Sequence, residues 1–367
     1  MMLNIAFRVD GGRNVGMGHM MRCLSLANAF RRNGHKICFF SKLDEGVEKA
    51  KRENYDVIRL PSVDHKTEGF FYGNPADLSA EAEAVIALLA NHQIDILVVD
   101  TYNVSGEYLL TLQSHVKKLV YIDDINKFLY PVDIIVNGNI TGAYMEYRQY
   151  REQQVLLLGP AYNMIRDEFC KMPPRTVSVQ VEEIMITTGG TDPYNLTGRL
   201  LALLLQHKKL QTLRFNVLVG SGFTNNEYLI NLSQEHKNVV LYANSAVANN
   251  SPNITYSEVS AIMLRSDLAI SAGGSTLYEF AACGTPTLAF VLADNQEFIV
   301  HKMEELGYVK SIGWYNQLDD GQVINALLNL MSDYGKRKEM SRKGQKLVDG
   351  KGTERIVRSV IESFRAN

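Results

Sequence analysis

Short apolar runs rich in Val, Ile, Leu and Phe alternate with longer stretches of helical period from Leu3 onward. A strand covered on both faces reads as an unbroken apolar run, whereas a surface helix repeats its apolar residues every three or four positions. The alternation therefore predicts an α/β protein, with parallel sheets covered by helices on both faces. In the first half, strands are predicted at Leu3 to Val9, Lys36 to Phe40, Asp56 to Arg59, Ile94 to Asp100, Leu119 to Ile122 and Ile134 to Asn137. Ala80 to Asn91 is the clearest helical pattern, with Ala84/Leu88 and Val85/Leu89 recurring at i and i+4 ahead of the Ile94 strand. Further strands are predicted at Glu183 to Thr188, Leu213 to Val219, Val239 to Tyr242, Leu268 to Ser271 and Thr287 to Val291.

The alternation breaks at Lys171 to Val177, KMPPRTV, where consecutive prolines favour a stiff, extended connection. The length of 367 residues suggests two domains. The expected division is an N-terminal Rossmann-like domain over 1–172, a C-terminal one over 177–350, and a final helical segment, 351–367, whose Ile356, Val360 and Phe364 suit packing back on the first domain. Both halves open with a strand running into glycines, FRVDGG at Phe7 to Gly12 and MITTGG at Met185 to Gly190. The Asn-rich stretch Asn244 to Thr255 reads as a surface loop outside the sheet.

Composition narrows the function classes. Lys plus Arg is 38 and Asp plus Glu is 40, so there is no basic surplus for a nucleic-acid backbone or an anionic membrane, and no nucleic-acid partner is expected. Cys23, Cys38, Cys170 and Cys283 are scattered without a C-x-x-C pair, which indicates neither a zinc cage nor a disulfide framework and fits the cytoplasm. The first residues read as a strand rather than a signal, and no apolar run is long enough for membrane insertion.

Candidate chemistry lies in glycine turns that follow predicted strands in each half. Gly11, Gly12, Gly16 and Gly18 let backbone amides and a helix N-terminus approach a ligand closely. A dinucleotide fingerprint is disfavoured, because Met21 stands where its third glycine belongs. His19 falls in the expected first turn of a helix whose pattern begins at Met20, where the positive helix end favours a neutral imidazole able to act as a base. Neither His19 nor Arg22 fits the apolar stripe of Met20, Cys23, Leu24 and Ala27, so both are expected at the carboxyl ends of the strands. Asp10, in the same turn, is a candidate to orient His19 or to bind a sugar hydroxyl.

In the second half, ISAGGSTLYEFAACGTPTLAF at Ile270 to Phe290 outlines a diphosphate site. Amides of Gly273, Gly274, Ser275 and Thr276, with the two hydroxyls, can donate to phosphate oxygens at a helix start, and Glu279 one turn later can accept from a ribose diol. No P-loop motif is present. Asp100, Tyr102, Asp123, Asp124, Asp192, Asn195, Asn295 and Gln296 also fall beyond predicted strand ends; Asp123 and Asp124 serve equally well as turn formers.

Several motifs together resemble the PseG family, the UDP-sugar hydrolases of pseudaminic acid biosynthesis, and the related SpsG-like proteins. They are RVDGGRNVGMGHMMRCLSLA at Arg8 to Ala27, VVDTY at Val98 to Tyr102, YIDD at Tyr121 to Asp124, LLGPAYNMIRDEF at Leu157 to Phe169, TTGGTDPYNLT at Thr187 to Thr197, SDLAISAGGSTLYEFAACGTP at Ser266 to Pro286, and DNQ at Asp294 to Gln296. The second-half motif also resembles GT-B glycosyltransferases such as MurG.

The resemblance implies a GT-B arrangement, two Rossmann-like domains with parallel sheets facing across a cleft, and neither metal nor cofactor. It implies that His19, in G-x-G-H-x-x-R, activates water to cleave UDP-2,4-diacetamido-2,4,6-trideoxy-β-L-altropyranose at its anomeric carbon. Tyr102, Gly274, Ser275, Glu279, Asn295 and Gln296 match family elements that hold diphosphate, ribose and sugar, and Gly190, Thr191, Asp192 and Asn195 lie in the matching TTGGTDPYN run. UDP is a good leaving group, so positioning water, taking its proton and stabilising the diphosphate are the tasks that remain. The expected partners are a UDP-sugar and neighbouring enzymes of the pathway. Two alternatives stand beside hydrolysis: a GT-B glycosyltransferase of surface polysaccharide synthesis, and a noncatalytic sugar-nucleotide-binding protein.

Overall fold

The computed structural model describes all residues except 13–14, 62–74, 221, 225, 244–253, 256–257 and 367. The chain divides into two compact units, Met1–Asp167 with Lys351–Asn367, and Glu168–Gly350. The division falls at residues 167 and 168, ahead of the Lys171 to Val177 segment. That segment is fastened within the second unit, since the Arg175 guanidinium donates to the carbonyls of Met263, Leu264 and Ser266 and its amide to Gln345 Oε1.

In the first unit the order is β1 (Asn4–Val9), α1 (Gly18–Arg32), β2 (Lys36–Ser41), α2 (Asp44–Arg52), β3 (Asp56–Arg59), α3 (Pro75–Asn91), β4 (Ile96–Asp100), α4 (Gly106–Gln113), β5 (Lys118–Ile122), β6 (Ile134–Asn137) and β7 (Val155–Leu158). Its sheet runs β3-β2-β1-β4-β5-β6-β7, and every pairing is parallel. Alternate residues of β1 supply the two cores. Ile5, Phe7 and Val9 pack with Leu24 and Ala27 of α1, while Ala6 joins Val85, Leu89, Leu109 and Leu112 of α3 and α4. The C-terminal helix Gly352–Arg365 completes the first of these cores with Ile356, Val357 and Val360.

The second unit continues with β8 (Glu183–Thr187), α5 (Leu196–Gln206), β9 (Arg214–Val219), α6 (Asn226–Glu235), β10 (Val239–Ala243), β11 (Ile254–Thr255), α7 (Val259–Arg265), β12 (Leu268–Ala272), α8 (Thr276–Cys283), β13 (Thr287–Val291), α9 (Asp294–Glu305), β14 (Val309–Trp314), α10 (Asp320–Ser332) and α11 (Tyr334–Leu347). Its sheet order is β11-β10-β9-β8-β12-β13-β14, again parallel. In both units the first strand is central, the chain builds outward on one side and then crosses back to the other.

Three strands depart from the expectation. β7, β11 and β14 lie at sheet edges, where one flank lacks a neighbouring strand, and β7 and β11 are only four and two residues long. β14, VKSIGW, mixes polar and apolar residues without alternation and is only partly buried. Of the Asn244 to Thr255 stretch, residues 244–253 lie outside the described residues, but Ile254–Thr255 pairs with β10 and so belongs to the sheet it was expected to leave. Among the described residues, no helix is long and apolar enough to cross a membrane.

Candidate functional site

Open parallel sheets collect ligands outside the carboxyl ends of their strands, where the strand order reverses. Here the reversals lie between β1 and β4 in the first unit and between β8 and β12 in the second. The candidate residues gather at these two points.

At the first, α1 starts at Gly18, two residues earlier than its apolar pattern, and no side chain caps it. Met20, Cys23, Leu24 and Ala27 are buried, which turns His19 and Arg22 toward the strand ends. Asp100, the last residue of β4, is fully buried beneath them. His19 Nδ1 lies 2.6 Å from Asp100 Oδ1 and 3.0 Å from Arg22 Nη2. A bare Nδ1 would set its lone pair against the carboxylate oxygen at the shorter distance. The favoured tautomer therefore carries the proton on Nδ1 and donates it to Asp100, leaving Nε2 as the basic nitrogen. Among the described residues Nε2 takes no hydrogen bond, and the His19 side chain keeps 12% of its surface exposed. Burial pushes the Asp100 carboxyl up, but Arg22 and His19 outweigh it and hold it far below the ordinary carboxylate range.

Arg22 is a strut between two carboxylates. Its Nε and Nη2 donate to Asp100, both at 2.6 Å, and its Nη1 donates to the two oxygens of Asp124 at 2.9 and 2.7 Å. Asp124 also accepts from the Tyr102 hydroxyl at 2.8 Å and from Asn139 Nδ2 at 2.7 Å. The Tyr102 ring stands edge-on to His19, with centroids 4.7 Å apart. Burial, then the neighbouring Asp124, pushes the Tyr102 hydroxyl far up, so it stays protonated and donates. Asn139 had no signal of its own in the sequence; only the adjacency of β5 and β6 brings it to Asp124.

Two readings left open by the sequence are narrowed at this end. Asp10 does not orient His19: its oxygens accept from Arg8, Ser41 and the Lys42 amide, which tie the turn after β1 to that after β2. Asp123 and Asp124, alike in sequence, separate. Asp123 closes a turn through the Asn126 amide and accepts from the Tyr130 and Tyr147 hydroxyls, whereas Asp124 faces Arg22. The glycines shape the turn itself. Gly12 and Gly16 bridge to one another, Gly16 has φ +74°, and a Cβ at Gly11 would lie 2.8 Å from that of Met20.

At the second reversal, Gly273, Gly274, Ser275 and Thr276 run from β12 into α8, which no side chain caps. The Gly273 amide is spent on the Phe290 carbonyl at 2.9 Å. Those of Gly274, Ser275 and Thr276 have no acceptor among the described residues. The turn after β8 adjoins them, since a Cβ at Gly189, where φ is +95°, would lie 3.8 Å from Thr276 Oγ1. Gly190 and Thr191 continue that turn and lie against Gly222. Gln296 backs Gly273 and Gly274 while its Oε1 accepts from the Leu292 amide, and Asn295 beside it is exposed. Glu279 is half-buried in the first turn of α8. Asp192 is occupied elsewhere: its two oxygens cap α5 through the amides of Leu196 and Thr197, both at 2.9 Å. Asn195, at the start of that helix, adopts a left-handed conformation, with φ +53°.

Residues 184–355 match the model of the glycosyltransferase family 28 C-terminal domain. An uncharacterised protein of Methanocaldococcus jannaschii is 29% identical over 88% of this chain, which spans 62% of that protein's length. The Bacillus subtilis spore coat polysaccharide biosynthesis protein SpsG is 23% identical, with 96% of each chain covered. The UDP-2,4-diacetamido-2,4,6-trideoxy-β-L-altropyranose hydrolase of Campylobacter jejuni is 22% identical over 83% of this chain and 98% of its own. Among solved structures, Acinetobacter baumannii MurG superposes with a TM-score of 0.65 at 14% identity, covering 98% of this chain and 99% of its own. The chain thus has a GT-B-like fold of two Rossmann-like units.

Proposed function

We propose that the protein is a nucleotide-sugar enzyme that hydrolyses a UDP-linked amino sugar, with His19 as general base. The observation that carries this reading is the pairing of His19 Nδ1 with buried Asp100 at 2.6 Å, which leaves Nε2 to take a proton. In the reaction, a water oxygen attacks the anomeric carbon as Nε2 removes its proton. The bond from that carbon to the diphosphate oxygen breaks, and UDP leaves with the electron pair. Asp100 stabilises the imidazolium that forms, as a buried carboxylate behind a catalytic histidine does. In the second unit, the amides of Gly274, Ser275 and Thr276 at an uncapped helix start favour negative charge and suit a diphosphate.

The names of similar proteins support a substrate class. The Campylobacter relative is a UDP-2,4-diacetamido-2,4,6-trideoxy-β-L-altropyranose hydrolase, so that sugar nucleotide is the first to test. The pathway would be pseudaminic or another nonulosonic acid synthesis, and the scattered cysteines are compatible with a cytoplasmic setting. Glycosyl transfer is the second reading, favoured by the family 28 domain match and the likeness to MurG. It uses the same base and leaving group and replaces water with an acceptor hydroxyl.

Incubation with UDP-amino sugars in the absence of any acceptor separates the readings. Equimolar UDP and free sugar are expected, whereas UDP release that requires an added acceptor overturns hydrolysis in favour of transfer. His19→Ala is expected to bind UDP with unchanged affinity and lose at least ~100-fold in turnover. Full turnover in that variant would remove His19 from the chemistry, and a wild-type chain that binds every candidate and cleaves none would be a binding protein.

A further inference from the structure

We propose that Asp124 is a positioning residue for His19, supplying through Arg22 the second negative charge that makes the imidazole a better proton acceptor; this rests on the reading of His19 as general base. The groups around His19 are Arg22 on its own helix, Asp100 at the end of β4, which also accepts from the Cys23 thiol, Tyr102 beyond it, and Asp124 beyond β5 through Arg22. Burial, followed by the nearby carboxylates, pushes the Cys23 thiol and the Tyr102 hydroxyl up, so both stay neutral. The charges in the cluster are then one guanidinium and two carboxylates.

With neutral His19 the cluster carries one net negative charge, and uptake of a proton at Nε2 brings it to zero. Without Asp124 the same step would run from zero to one net positive charge in a half-buried place, which is less favourable. Asp100 provides only part of this bias, because Arg22 offsets its charge through two hydrogen bonds at 2.6 Å. Asp124 also fixes the flanks of the imidazole. It grips Arg22 through both its oxygens on one side and holds the Tyr102 hydroxyl at 2.8 Å on the other.

The test is Asp124→Asn in the full chain, which keeps the shape and removes the charge. Two readouts apply: the titration of the His19 imidazole followed by NMR without ligand, and the pH profile of UDP release. The His19 midpoint is expected to move to lower pH by ~0.3 unit or more. Turnover is expected to fall at least ~10-fold with KM changed less than ~3-fold, and the acid limb of the profile should move in the same direction as the midpoint. Tyr102→Phe removes a hydrogen bond to Asp124 without removing charge, and should leave the midpoint in place. Asp124→Ser is the second variant and carries the same expectation as Asn. A midpoint unmoved in the Asp124 variants, or moved equally in Tyr102→Phe, overturns the proposal. The NMR arm needs no substrate, so a wild-type chain that releases no UDP while the midpoint still shifts would refute the reaction and uphold the coupling.

Discussion

Asp192 and His19 are both polar residues near a helix start after the first strand of a unit, and they end in different roles. His19 sits inside its helix, past an uncapped start, with its ring held by Asp100. Asp192 precedes its helix, and its carboxylate satisfies two amides that would otherwise lack acceptors. Asp192→Ala is therefore expected to cost about 1–2 kcal/mol of stability, read from the denaturant midpoint. UDP affinity, followed by calorimetry, should stay within about twofold, because truncating a cap removes no ligand contact. A large loss of affinity with stability unchanged would return Asp192 to the nucleotide site. Asp100, named in the sequence only as one of several strand-end residues, gained its role from the distance to His19.

At the scale of elements, the central strands were legible, and of the four edge strands only β3 was expected. β1, β4, β12 and β13 are predominantly apolar and almost wholly buried because helices cover both their faces. β7 and β14 lie at edges; β7, VLLL, is apolar but only four residues long, and β14 is only partly buried. The apolar stripe of the C-terminal helix shows the converse. Ile356 and Val360 are fully buried in the same core as Leu24 of α1. Ile356→Ala should cost about 2–5 kcal/mol by leaving a cavity there. Hydrogen exchange should report lost protection in α1 and β1 and none in β8 or β12, since the latter belong to the other unit's core. Equal loss in both units would mean that the two cores do not unfold separately.

For the molecule as a whole, the acid response should be uneven between the units. Burial pushes the Glu81 carboxyl up, but Arg8 and Lys42 outweigh it and bring it down to about 2; Asp100 is held low by Arg22 and His19 against its own burial. A carboxyl whose folded pKa lies below its unfolded value contributes stability that is complete above the unfolded value and is lost as pH falls through the folded one. Both groups belong to the first unit. Asp123 there is shifted the other way, raised by burial, and recovers part of the loss on protonation. As pH falls from about 4.5 toward about 2, the first unit should therefore lose exchange protection before the second. Glu81→Gln should flatten that dependence, and simultaneous loss in both units would contradict it.

What the sequence determined by itself was local: the α/β alternation, the two glycine turns after central strands, and a histidine facing off its helix's apolar stripe. Each follows from residues a few positions apart, where periodicity and backbone freedom act directly. The tertiary structure alone decided which charges meet. His19 and Asp100 are 81 residues apart, and Arg22 and Asp124 are 102 apart. They come together because parallel strand order places β1, β4 and β5 side by side with their carboxyl ends on one edge. The same adjacency separated Asp123 from Asp124 and spent Asp10 and Asp192 on holding the backbone, since a carboxylate's role is fixed by the donors within reach of it, and reach is set by the fold.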